Sequence, residues 1–257
     1  MLKDLTKSDW LQLLQVPESR VPTALILRGT RNLTANYEKH KRYFADIFEV
    51  GSPNGLFEDV FIGDYKGVSV AYASVYGDCM ASEITHLFGV LGTELVVQTG
   101  CCGGLSDGLL AGDLVCATMA HCGEGASQYY VPQAKELLAT PQLVAKLSAS
   151  AHAGPIWTTS ALLAEGSEEI EDWHNRGCIA VDMETATTFA VAQYFKMHRA
   201  SLLFVFDQPR AGDHIALTDH DKHQRRLVGE QQMIDAVLSL IVDYASKAEG
   251  IASKILS

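Results

Sequence analysis

Apolar runs of strand length alternate along this chain with segments of helical periodicity. Such runs occupy residues 23–27, 93–98 and 201–206, and the spacing of apolar residues predicts helices over 80–91, 186–195 and 224–247. Because parallel strands must be joined by crossovers, this alternation predicts an α/β fold with a mostly parallel mixed sheet and helices on both faces, in three layers. No linker, repeat or low-complexity stretch divides the sequence, so we expect a single domain over residues 1–257.

An antiparallel excursion is expected between the first two parallel units. β-Branched and aromatic residues fill 57–65 and 68–75, and Gly67 lies in the turn that would join them. Ahead of these strands, apolar residues recur at helical spacing from 32 to 49. That pattern predicts a helix there, followed by a chain break at Pro53 to Gly55.

The charge balance excludes two classes of partner. The 257 residues include 20 Lys plus Arg and 31 Asp plus Glu, a net charge of −11. An acidic surface repels nucleic acid and anionic membranes, so we expect neither as a partner, and an anionic ligand must meet a local cluster of donors. No apolar run approaches the roughly 18 residues of a membrane span, and the first residues lack a signal-peptide pattern. A cytoplasmic location is therefore expected.

The cysteines and histidines do not form a metal-binding pattern. The six cysteines contain no C-x-x-C pair and most lie in apolar or small-residue runs, while the nine histidines are scattered. Structural zinc ligands usually recur at separations of about two to four residues. We therefore expect neither a metal site nor disulfides.

Glycines and carboxylates follow several predicted strands. These positions are 29–31, 100–104, 182–184 and Asp207. In open α/β sheets, ligands bind at the carboxyl ends of the strands, where backbone N–H groups and helix N termini converge. Each feature also has a purely structural explanation, because glycine serves tight turns and acidic residues favour the first turn of a helix.

Asp207 ends the strictly apolar run SLLFVF. Burial at the rim of the sheet would raise the pKa of this carboxyl and suit it to donate a proton. A solvated strand end would instead leave it an ordinary surface acid.

Three separated motifs resemble one family. The segment AVDMETATTFAVA is followed by LLFVFD, which places Asp207 23 positions after Glu184. Upstream, QTGCCGGLSDGLLAGDLV is similar to a T-G-x-x-G-G-L loop followed by G-D-x-V, and LRGT stands at the place of a first glycine turn. In order and spacing these motifs resemble those of the nucleoside phosphorylase and nucleosidase superfamily, both purine and uridine phosphorylases. The run DQPRAGDHIAL is also similar to the AMP nucleosidases.

The resemblance implies roles at the sugar and the base. Met183 would pack against the ribose, and Glu184 would accept hydrogen bonds from its hydroxyls and stabilise positive charge at C1′. Asp207 would protonate the departing base at a purine N7, and Leu162 would lie in the base pocket. The remaining expectations are a nucleoside as substrate, no cofactor apart from phosphate as co-substrate, and a homo-oligomer.

The resemblance is weaker at the site of the nucleophile, which it places at Gly29, Arg31, Gln98, Gly100 and Cys101. Gln98 stands where phosphorylases have an arginine, and Cys101 where they have a hydroxyl residue. The stretch around Asn54 also lacks the arginine that a neighbouring subunit contributes. We expect phosphorolysis of a purine nucleoside to base and ribose 1-phosphate. A hydrolytic nucleosidase, or a nucleoside-binding module without turnover, stays open as an alternative.

Overall fold

The central strands of the sheet are buried on both faces, as the sequence predicts. The computed structural model describes residues 1–52, 55–214 and 220–255, the side chains only up to 247. Within these ranges the strands are β1 Ala24–Gly29, β2 Ala45–Glu49, β3 Val60–Tyr65, β4 Val68–Val75, β5 Leu95–Gly104, β6 Leu114–Gly123, β7 Glu136–Leu138, β8 His152–Thr159, β9 Ala180–Asp182 and β10 His198–Asp207. The α-helices are α1 Lys7–Leu14, α2 Leu33–Lys41, α3 Gly77–Leu91, α4 Pro141–Leu147, α5 Ser167–Asn175, α6 Thr185–Tyr194 and α7 His220–Ile255.

Helices cover both faces of the sheet, which confirms the layered α/β fold. In β1, Ala24 and Ile26 face a core that includes residues of α2, α4 and α7, whereas Leu25 and Leu27 face a core that includes residues of α1 and α3. Successive side chains of a strand point to opposite faces, so a run of four apolar residues is what a doubly covered strand requires.

The sheet is mixed, and part of it closes on itself. Among the described strands, five pairings are parallel (β1–β4, β1–β5, β5–β10, β6–β8 and β8–β9) and five are antiparallel (β2–β3, β3–β4, β5–β9, β6–β10 and β6–β7). It is therefore less parallel than the sequence suggested. Because β5 pairs with β1, β9 and β10, the strands β5, β10, β6, β8 and β9 form a closed ring, and several strand ends meet at its rim.

One predicted helix is wrong in its second half. The helix expected over 32–49 ends at Lys41, and β2 follows as an edge strand that pairs antiparallel with β3. Phe44, Ile47 and Phe48 are spaced as in a helix, but strand pairing determines the local structure there. The antiparallel excursion itself is confirmed as β3 and β4. No helix in the described part of the chain is both long and apolar enough to cross a membrane.

Candidate active site

A cavity of about 390 Å³ opens where β1, β5, β9 and β10 end. Seven of the nine residues to which the resemblance assigns a role line it: Gly29, Arg31, Cys101, Leu162, Met183, Glu184 and Asp207. Residues more than 150 positions apart in the chain therefore meet in one space, as the rule on strand carboxyl ends predicts.

Glu184 is a buried carboxylate that contacts the first glycine turn. It is 5% exposed, and its Oε1 accepts a hydrogen bond of 2.8 Å from the backbone N–H of Gly77. A Cβ on Gly29 would lie 2.5 Å from Oε2 of Glu184, so only glycine allows this approach without movement of the carboxylate. Burial, and then the nearby Asp182, raise the pKa of Glu184 to about 8.

Asp182 lines the same cavity, but its oxygens are engaged by the protein. Oδ1 accepts a hydrogen bond of 2.7 Å from the hydroxyl of Thr158, and Oδ2 accepts from the N–H and the hydroxyl of Thr185. These bonds secure the first turn of α6 against β8 and β9. The structural explanation considered from the sequence therefore fits Asp182, while Glu184 keeps an oxygen at the cavity.

Asp207 is the last residue of β10 and is partly buried at the cavity wall. Burial, and then the charge of Asp213, raise its pKa to about 6, although the cation of Arg226 acts in the opposite direction. The guanidinium of Arg226 lies 3.8 Å from the ring centre of Phe206 and donates through Nε to its carbonyl at 2.7 Å. Asp207 is thus a carboxyl that holds its proton closer to neutral pH than a surface aspartate does.

Two expected contacts of the nucleophile are not part of the cavity wall. Gln98 is 0% exposed; its Oε1 accepts from the hydroxyl of Thr188, and its Nε2 donates to the carbonyl of Thr99. Successive side chains of β5 point to opposite faces, and that of Gln98 points towards α6. Gln98 was expected at the cavity wall, but it lies beneath that wall. Gly100 packs on β1 instead, where a Cβ would lie 3.0 Å from the carbonyl oxygen of Gly29.

The two arginines of the first glycine turn have separate surroundings. Arg28 is 4% exposed, and its Nη2 lies 2.7 Å from Oε1 of Glu230 in α7, which Lys39 also contacts. Arg31 lies at the cavity with its guanidinium 5.0 Å from the ring centre of Tyr76, and in the described ranges it forms no ion pair. Arg31 is therefore the cation that is free to meet an anion, whereas Arg28 is neutralised in the core.

The family model described as the phosphorylase superfamily matches residues 25–241 of this chain. The chain belongs to the phosphorylase superfamily. The family and the α/β fold expected from the sequence are thus confirmed, and so is the general expectation of a nucleoside phosphorylase-like glycosyltransferase.

Individual relatives agree with this assignment. The chain is 31% identical over 137 residues to a guanosine phosphorylase of Halorubrum lacusprofundi, a match that covers 50% of this chain and only 57% of the relative. It is 24% identical over 216 residues to a DeoD-type purine nucleoside phosphorylase of Clostridium beijerinckii, with 78% and 87% covered. The fold is similar to that of a uridine phosphorylase from Vibrio fischeri, with a TM-score of 0.76, 19% identity, and 89% and 95% of the two chains covered.

This phosphorylase-superfamily site also contains residues to which the sequence analysis assigned no functional role. Tyr76, Glu165, Phe206 and His214 line the cavity. Glu165 lies in the acidic stretch EGSEEIED, which looks like a solvated helix face, so nothing local separated it from its neighbours. Arg226 belongs to α7, whose sequence indicates only an amphipathic helix.

Two segments used in the sequence analysis lie wholly or partly outside the described residues. They are Asn54, and residues 215–217 of the run DQPRAGDHIAL. Within the described ranges no group of three or more His, Cys, Asp or Glu side chains is arranged to hold a metal ion.

Proposed function

We propose that this chain is a purine nucleoside phosphorylase that cleaves the N-glycosidic bond with phosphate and releases the base and ribose 1-phosphate. The observation that carries the proposal is the placement of Met183, Glu184 and Asp207 around one cavity. In the proposed mechanism Met183 contacts the sugar, Glu184 stabilises the cationic transition state and Asp207 donates a proton to the base.

The buried carboxylate of Glu184 would act on the sugar. Its Oε1 is fixed by the N–H of Gly77, which leaves Oε2 beside Gly29 to accept from the ribose hydroxyls. As the bond between C1′ and N9 breaks, positive charge develops on the ribose ring. An ionised carboxylate in a buried site stabilises that charge more strongly than it would in water, so its effect is greatest in the transition state.

Asp207 would act on the leaving group. Its pKa of about 6 leaves a usable protonated fraction near neutral pH. Its proton passes to N7 as the electron pair of the glycosidic bond moves to N9, and the base departs as a neutral molecule. This role requires a purine, because a pyrimidine has no ring nitrogen equivalent to N7.

The phosphate would bind at the rim near Gly29. Arg31, held against Tyr76, supplies the cation, and one phosphate oxygen forms the new bond to C1′. Cys101 lines this side as a neutral thiol, since burial raises its pKa to about 11. We also propose that phosphate is the sole co-substrate and that the protein acts in the cytoplasm as a homo-oligomer.

A hydrolytic nucleosidase is a second candidate, favoured by one observation. The two positions at which the superfamily has an arginine and a hydroxyl are Gln98, turned beneath the cavity, and Cys101. Water needs fewer charged donors than phosphate does.

The test is base release from adenosine, inosine, guanosine, uridine and AMP, each with and without phosphate. Release that requires phosphate and yields ribose 1-phosphate supports the proposal. Equal release without phosphate would replace it with the nucleosidase. If nucleosides bind but no base is released in either condition, the chain is a binding module.

A further inference from the structure

Glu165 is a carboxylate in the cavity that the proposed mechanism does not use. It follows the 3-10 turn Leu162–Ala164 and lines the same space as Asp207. Its Oε1 is shielded from solvent and has no hydrogen-bond partner within the described part of the chain. Glu169, four residues on, has a structural role instead, since it accepts from the N–H of Gly166 at the start of α5.

A buried acceptor without a donor is costly, and in a ligand cavity the ligand is the natural donor. The cavity lining next to Glu165 in sequence, Leu162 and Leu163 before it and Ile170 after it, is apolar and donates no hydrogen bond. These side chains would pack against the faces of a planar base, so that one edge of the base faces the carboxyls of Glu165 and Asp207.

Resting on the proposed function, we propose that Glu165 is a specificity-determining residue, whose carboxylate accepts a hydrogen bond from the amino group at C6 of a purine while Asp207 addresses N7 of the same base. The substrate class is therefore narrowed to 6-aminopurine nucleosides.

The number of protons on the two carboxyls selects the amino group over an oxo group at C6. N7 and the C6 substituent are neighbours on one edge of a purine; adenine presents an acceptor and a donor there, whereas guanine and hypoxanthine present two acceptors. A pair of carboxyls that share one proton offers one donor and one acceptor, which matches adenine. A 6-oxopurine would need both carboxyls protonated.

The electrostatics favour the shared proton. Burial, and then the charge of Asp207, raise the pKa of Glu165 to about 7, while the pKa of Asp207 is about 6. Between these values the pair holds one proton, because two neighbouring carboxylates disfavour joint ionisation. In the free protein the higher pKa of Glu165 favours the proton there. A bound adenine favours the proton on Asp207 instead, because N7 needs a donor and the amino group needs an acceptor.

The test compares adenosine with inosine, which differ at C6, in wild-type protein and in Glu165→Gln. We expect wild-type kcat/KM to favour adenosine, and the variant to reduce the adenosine-to-inosine ratio by about tenfold or more, the effect of a hydrogen bond to a charged group. Glu168→Gln is the matched control, an exposed glutamate on α5 outside the cavity, and should leave the ratio unchanged.

A ratio that Glu165→Gln leaves within twofold of wild type would overturn the inference and leave the proposed function standing. So would a wild-type preference for inosine or for guanosine, the substrate in the name of the Halorubrum relative. Calorimetric binding of adenine and hypoxanthine distinguishes a failure of this inference from a failure of the proposed function. If no nucleoside is cleaved, a preference for adenine that depends on Glu165 supports the inference while turnover fails, and equal or absent binding of both bases removes it.

Discussion

The two sides of the cavity differ in how firmly the protein prepares them for chemistry. On the side of the sugar and the base, Glu184, Asp207 and Glu165 are carboxyls with raised pKa values. Glu184 precedes the buried helix α6, and Asp207 ends the buried strand β10. On the side of the nucleophile, Arg31 is the cation at the wall and Cys101 is a neutral thiol. In the proposed mechanism, activation of the leaving group and of the ribose therefore drives the reaction, while the anion is held weakly.

The largest expected effect is at Asp207. Asp207→Asn keeps the shape but removes the proton that passes to N7, and we expect kcat for a purine nucleoside to fall by about 10²–10⁴-fold, the usual range for a general acid. Steady-state base release with a circular-dichroism check of the fold measures this. An unchanged rate would contradict the role of Asp207 as proton donor, and with it the better prepared side of the cavity.

Glu184→Gln should have the next largest effect. Loss of the charge that faces the developing cation should lower kcat/KM by about 10²–10³-fold, as for other electrostatic contacts of a transition state. Nucleoside KM should also rise, because one acceptor of the ribose hydroxyls is weakened. An effect on KM alone would reduce Glu184 to a binding residue.

The pH dependence of kcat/KM tests the same two carboxyls on the side of the sugar and the base. The proposed mechanism requires Asp207 to be protonated, with a pKa of about 6, and Glu184 to be ionised, with a pKa of about 8. The active form therefore falls off below and above a maximum near pH 7, which gives a bell-shaped kcat/KM profile. In Glu184→Gln the loss of activity at low pH should disappear while the loss at high pH remains. A profile that rises steadily from pH 6 to 9 would contradict the role of Asp207.

Arg31→Ala tests the side of the cavity where the nucleophile is proposed to bind. Removal of a charged hydrogen-bond donor should raise the KM for phosphate by about 10–100-fold, with little change in the KM for the nucleoside. Arg28→Lys is not a suitable control, because Arg28 belongs to the buried pair with Glu230. Arg42→Ala, an exposed arginine at the end of α2, is the matched control. Equal changes in both KM values would show that Arg31 holds the site rather than the anion.

Cys101→Ser should have the smallest effect. A hydroxyl is a better hydrogen-bond donor than a thiol and is nearly the same size, so phosphate KM should fall by about two- to tenfold, the value of one ordinary hydrogen bond. Phosphate titrations of wild type and variant measure the change. An increase in KM would indicate that the thiol packs against the anion and does not limit its binding.

The sequence was most informative where a chemical group follows a buried strand. Gly29, Glu184 and Asp207 could be placed together because strand carboxyl ends share one edge of the sheet. Gln98 was misplaced because the motif gives a position along β5, whereas the face it points to depends on which side of the strand α6 covers. Glu165 was missed because it follows a turn without buried residues in an acidic stretch, and no local pattern shows that this turn lines the cavity.

The reverse reaction tests the central claim most directly. Adenine and ribose 1-phosphate are incubated with the protein, and adenosine and inorganic phosphate are measured together. Our account predicts that both appear in equal amounts and that Asp207→Asn abolishes them, because phosphorolysis conserves the energy of the glycosidic bond and runs in both directions. Forward release of a base from its nucleoside, without any synthesis of that same nucleoside from the base and ribose 1-phosphate, would contradict the account and identify water as the nucleophile.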